Sequence, residues 1–315
     1  MDGRGRRQVK RGFIGILERL DRRWIFLAMA IAVAGPIIYI GITGKTLPET
    51  ATPAARAVFH AIEKLPAGSR VLLSFDFDPA SGGELTPMAT SLVRQCAARG
   101  HKLVFIALWP LGAQMADDAI RRVITADYPA LVEGRDYVNL GYQAGNEAVM
   151  KVMLTDFVKA FPKTREGMAT GAVPVLSGVT RVADFPMLIT ISAGYPGAKE
   201  WVQYVVSSSG GKITMVTGCT GVQTPQLYPY YPGQLAGLLG AIKGAAEYES
   251  LVNATLAKGD APTPPKYLEA QRRMGPQLGA HILMVILIIL GNIAFFAQKR
   301  ERAAGGGAAG AEARP

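Results

Sequence analysis

The sequence predicts an α/β protein: a doubly wound parallel sheet of about five strands, flanked by two transmembrane α-helices. Three observations carry that expectation. Near-continuous apolar runs of strand length alternate with amphipathic runs of helix length through the middle of the chain. Two uncharged apolar stretches lie near its ends, each of the roughly 20 residues that a bilayer-spanning helix needs. Lys and Arg crowd the flanks facing the two termini.

The first segment, residues 1–23, carries eight Lys or Arg against three acids. Its stretch "GFIGILERL" spaces Phe13, Ile14, Ile16, Leu17 and Leu20 as a short interfacial helix would. Residues 24–43, "WIFLAMAIAVAGPIIYIGIT", form the first expected span. This run is longer than the apolar region of a secretory signal and lacks a small-residue cleavage site at its end. Pro36 within it is tolerated in lipid, although it frees one backbone carbonyl. Residues 44–69 read as a linker with one short amphipathic helix, and 258–277 as a proline-rich, semi-rigid spacer. Residues 278–297, "LGAHILMVILIILGNIAFFA", form the second expected span. The tail, 298–315, opens on "QKR" and then becomes low in complexity, as disordered segments do.

Basic flanks stay on the cytoplasmic side, so the charge pattern places both termini in the cytoplasm and the intervening domain outside it. The reading assigns the chain to the cytoplasmic (inner) membrane of a bacterium, with the lipid bilayer as its first partner. The formal charge of +10 reads as topology signal and attraction to anionic lipid, and nucleic acid is not expected.

Within 70–257 the expected strands are Arg70 to Phe77, Lys102 to Trp109, Tyr137 to Tyr142, Pro186 to Ser192 and Lys212 to Gly218, with helices between them. Such an alternation implies a Rossmann-like or flavodoxin-like domain covered on both faces. Residues 162–185 interrupt it as an irregular excursion. Beyond the fifth strand, Gly233, Gly237, Gly240 and Gly244 are spaced four, three and four apart, which would place them on one stripe of a helix and admit a closely packed neighbour. The neighbour expected is the same domain, with a second copy as the alternative.

In open parallel sheets, ligands bind beyond the carboxyl ends of the strands. The candidate binding residues are therefore Trp109, Gly141, Tyr142, Gly145, Asn146, Ser192, Gly194, Tyr195, Gly197, Gly218, Cys219 and Thr220. Two of these loops repeat a pattern, "GYQAGNE" and "GYPGAKE", in which Gly-Tyr is followed by Gly and by a Glu that opens a helix. Glycine loops at helix starts let backbone N–H groups approach a ligand, preferably an anionic one.

The first strand ends in "FDFDP". Asp-x-Asp at that position resembles the opening motif of haloacid-dehalogenase-type phosphohydrolases. The resemblance implies that Asp76 is a nucleophile, Asp78 an acid/base and Mg²⁺ a phosphate clamp. It is confined to these residues: the family's Thr or Ser after the second strand is replaced by Leu108 and Trp109, and its acidic pair after the fourth by Ser192, Ala193 and Gly194. The competing assignment makes both carboxylates caps of the turn that follows. No HExxH, Cys/His cluster or G-x-S-x-G elbow is present, so no resident metal or other cofactor is expected and Mg²⁺ enters only with the phosphohydrolase alternative. Cys96 and Cys219 form no framework. The function expected is that of a non-catalytic ligand-binding or scaffold subunit of an envelope complex, partnered by a membrane or envelope protein or by a second copy.

Overall fold

A computed structural model describes residues 21–257, 259 and 262–309. The expected interfacial helix up to Leu20 and the last six residues of the tail lie outside them. The chain forms two compact units, one of residues 47–274 and one of residues 1–46 with 275–315.

In the larger unit six parallel strands, β1 (Arg70–Asp76), β2 (Lys102–Ala107), β3 (Tyr137–Tyr142), β4 (Met187–Ser192), β5 (Thr214–Cys219) and β6 (Gly237–Gly240), lie in the order β3-β2-β1-β4-β5-β6. That is the order of doubly wound dinucleotide-binding sheets, with the chain reversing its direction of travel between β1 and β4. Strand residues alternate between two cores: Val71, Leu73 and Phe75 enter one, Leu72 the other. The first core is covered by α2 (Pro53–Glu63), α3 (Gly82–Ala98), α4 (Gly112–Ala119, continued by a wider turn to Thr125) and α9 (Ala241–Leu256). The second is covered by α5 (Glu147–Met153), α6 (Phe157–Ala160), α7 (Ala198–Glu200, continued to Val206), α8 (Thr224–Leu227) and the 162–185 excursion, whose Val173, Val175, Val182 and Phe185 are buried.

Two expectations change. The glycine stripe is not helical: Gly233 lies in a turn, Gly237–Gly240 form the sixth strand, and only Gly244 falls within α9. Close packing explains the glycines instead. A Cβ on Gly237 would lie 2.5 Å from the Val58 backbone N where α2 crosses the strand, and one on Gly240 would lie 2.6 Å from Thr224 Oγ1. Gly237→Ala is therefore expected to lower stability by about 1–3 kcal/mol, read as a lower midpoint in chemical denaturation. The spacer is the second change. Tyr267, Ala270 and Gln271 are buried, Lys266 bonds Asp127 at 2.7 Å, and a helix begins at Glu269.

The smaller unit contains α1 (Arg22–Thr43) and most of α10 (Glu269–Ala309), which carries helical backbone into the glycine-rich tail expected to be disordered. Both helices are long and apolar enough to cross a membrane, and Trp24, Phe26, Ile282 and Ile288 are among their exposed side chains. Asp21 caps α1 by accepting from Arg23 N, and Gly44 ends it with φ 67°. Pro36 has no N–H to offer the Ala32 carbonyl one turn earlier. Gly279 packs there: a Cβ on it would stand 2.3 Å from that oxygen, and one on Gly275 would stand 3.3 Å from Pro36 Cβ. Gly275 and Gly279 thus form a small-xxx-small pair that brings α10 onto the proline-bearing part of α1.

Candidate functional site

The strand order makes β1 and β4 neighbours at the reversal, where such sheets open a crevice. Here the carboxyl ends of the strands place Asp76, Ser192 and Cys219 on one row, since Asp76 pairs in register with Ser192 and Ser192 with Cys219. All three are buried.

Asp76 is the hub. Its Oδ2 accepts from Ser74 Oγ at 2.7 Å and from Trp201 Nε1 at 2.9 Å, and its Oδ1 accepts from Leu108 N at 2.9 Å. Those donors come from β1 itself, from α7 and from the end of β2, so one carboxylate ties three elements. Burial pushes its carboxyl up to about 6, the three donors pull the other way, and Glu200 nearby adds to the rise. The residue is fully buried, with 0 % exposure. Asp78 is half-buried and accepts from Ser81 N at 3.3 Å, capping the turn Pro79–Ser81. Asp78 thus caps the turn, whereas Asp76 does not and is a buried tie.

The loops above this row close over it. Trp109 Nε1, after β2, donates to the Pro196 carbonyl after β4 at 2.7 Å, and its ring lies 3.4 Å from where a Cβ on Gly194 would be. Tyr195 OH donates to Glu147, joining the β4 loop to the start of α5 after β3. This bond holds the Glu147 carboxyl low and the Tyr195 phenol high. The two Gly-Tyr corners therefore sit on the same sheet edge for different reasons. Gly141 has φ 78° and its N–H donates to Asn139 Oδ1 at 2.9 Å, whereas Gly194 lies against the Trp109 indole. Gly145 (φ 129°) and Asn146 (φ 49°) complete the β3 turn in a conformation that disfavours most side chains. Tyr142 is exposed on the rim.

Three backbone N–H groups of these loops, those of Gly197, Ala198 and Gly221, are held by side chains of the protein. Ser192 Oγ accepts from Ala198 N at 3.1 Å and donates to Gln223 Oε1 at 2.8 Å, and Gln223 Nε2 donates to the Gly194 carbonyl at 2.7 Å. Glu200 Oε2 accepts from Gly197 N, and Glu84 Oε2 from Gly221 N, each at 2.9 Å. A Cβ on Gly197 would lie 2.3 Å from the Gly194 carbonyl oxygen, which leaves no room for a side chain at this corner. First-turn acids, Glu84 on α3, Glu147 on α5 and Glu200 on α7, complement the positive helix ends themselves. At Gly197 and Gly221 the N–H groups thus face carboxylates of the protein's own.

Of the other expected residues, Thr220 reaches back to the Ala193 carbonyl at 3.5 Å and Cys219 Sγ lies 3.4 Å from Thr224 Oγ1. Burial pushes the Cys219 thiol up to about 11 and raises Cys96 further, so neither is a thiolate at neutral pH. Gly218 stands away from the loops, inside β5 against Met88. Among the described residues no group of three or more His, Cys, Asp or Glu is placed to hold a metal ion. Sequence reasoning missed Ser74, Trp201 and Gln223, which no local motif marks. Glu84 and Glu200 carried a readable signal as acids in the first turn of a helix. Comparison with protein-family models and with curated proteins finds no match for this chain.

Proposed function

We propose that the chain is a two-span protein of the bacterial inner membrane, with both termini cytoplasmic and a Rossmann-like domain outside, acting as a non-catalytic scaffold or binding subunit of an envelope complex. One observation carries this reading: the crevice between β1 and β4 is filled by the protein's own ties, centred on an Asp76 with no exposed surface and three donors. The length and apolar character of α1 and α10, with basic residues flanking their apolar stretches on the sides of the two termini, support the two spans and their orientation. The subunit's partner is a second membrane or envelope protein, or another copy of this chain.

The competing phosphohydrolase reading requires Asp76 to meet a phosphorus atom and Mg²⁺ together. Purified full-length protein assayed with Mg²⁺ and a panel of phosphate esters is expected to release no phosphate above the rate without protein. Release that disappears in Asp76→Asn, with the fold intact by circular dichroism, would establish the enzyme instead.

A further inference from the structure

We propose that the carboxyl-terminal edge of the sheet, the edge that holds ligands in comparable folds, is in this chain a docking face for the uncharged lipid surface. The inference rests on the two-span reading above and on features within residues 47–274. Both segments by which the chain leaves that unit do so at this edge. On the N-terminal side, Thr52 caps α2, and its N and Oγ1 donate to Glu247 Oε2 on α9 at 2.9 and 2.7 Å. Glu49 pairs with Lys243 in the first turn of α9, directly beyond the end of β6. On the C-terminal side, Glu249 on α9 accepts from Ala270 N and Gln271 N at 3.3 and 2.9 Å, and Arg273 reaches the Gly83 carbonyl at the start of α3. Helix α10 then runs on without a break into its apolar stretch.

The same edge carries exposed apolar side chains on the loops after four of the six strands, on both sides of β1. These are Tyr142 after β3 (40 % exposed), Leu111 after β2 (46 %), Tyr195 after β4 (59 %) and Val222 after β5 (83 %). Tyrosines beside aliphatic groups suit the headgroup region, where a ring can bury its body and keep its hydroxyl wet. Charge selects the lipid. Asp78, Glu84 and Glu147 at this edge are matched by Lys199, Lys243 and Arg273, so the edge carries no single sign of charge and suits a zwitterionic surface, with no added attraction to an anionic one.

The test uses the full chain with a nitroxide at Val222→Cys or Leu111→Cys, and at Val132→Cys as the control on the connection that leads into the opposite, amino-terminal end of β3. The native thiols are buried and unreactive. Protein is reconstituted in phosphatidylcholine vesicles at two protein-to-lipid ratios, and collisions with a water-soluble nickel chelate are measured. The expected result is several-fold protection at positions 222 and 111 relative to 132, equal at both ratios and unchanged by high salt. Equal accessibility at all three positions would overturn the proposal. Protection that disappears on dilution in lipid would also overturn it, because a second copy would then be the cover. Extraction of the chain from vesicles by alkaline carbonate would defeat the two-span reading itself, an outcome distinguishable from an inserted chain with an open edge.

Discussion

Asp76→Ala is expected to lower the stability of the α/β domain by about 3–5 kcal/mol, because it leaves the donors of Ser74, Leu108 and Trp201 buried without an acceptor. The penalty is large because the three donors cannot relax to water: Ser74, Leu108 and Trp201 are themselves buried. Asp76→Asn keeps the shape and one acceptor oxygen but turns an NH₂ group toward donors, so it should fall between wild type and Ala. Equilibrium urea unfolding of the three proteins checks the order. Equal stability of Asp76→Ala and wild type would mean that the carboxylate is not the tie described.

The domain is also expected to gain stability as the pH falls from about 7 to about 4. Burial raises Asp76 from 3.8 to about 6 and Glu249 from 4.5 to about 7, so the folded state holds protons that the unfolded chain releases. A group whose folded value is raised contributes fully below its unfolded value and loses that contribution as pH rises through the folded one. The window therefore lies between about 4 and 7, and the gain is on the order of several kcal/mol across it. His101 opposes part of this. Burial lowers its value, so its contribution is lost as the pH falls through that range. Melting temperatures in a buffer series should rise toward acid for wild type and flatten for Glu249→Gln.

The sheet was legible because strands buried on both faces are short, β-branched and apolar, and five such runs stand out between amphipathic helices. The sixth was not. "GLLG" is four residues long and set among glycines, so no period of two develops, and the glycine spacing imitates a helix stripe. The edge that gathers the loops followed from topology alone, which is why Trp109, Tyr142, Asn146, Ser192 and Tyr195 were found together. What those residues do to one another was not readable. The bonds from Trp109 to Pro196 and from Tyr195 to Glu147 join positions 87 and 48 apart in sequence, and only the strand order brings them within reach. The same limit hid the role of Asp76, since a DxD that serves chemistry and a DxD that serves as tie and cap have identical letters.

The measurement closest to the central claim, that the crevice is closed by the protein's own side chains, is a thermal-shift screen of the full chain in detergent. The ligands are NAD, ATP, inorganic phosphate, sugar phosphates and Mg²⁺, alone and combined. The account predicts an unchanged melting temperature with each of them. A ligand present at a hundred times its dissociation constant would add about 2.7 kcal/mol and raise the midpoint by several degrees. A shift of that size, abolished by Gly197→Ala or Asp76→Asn, would contradict the account by showing that the crevice opens to an anion.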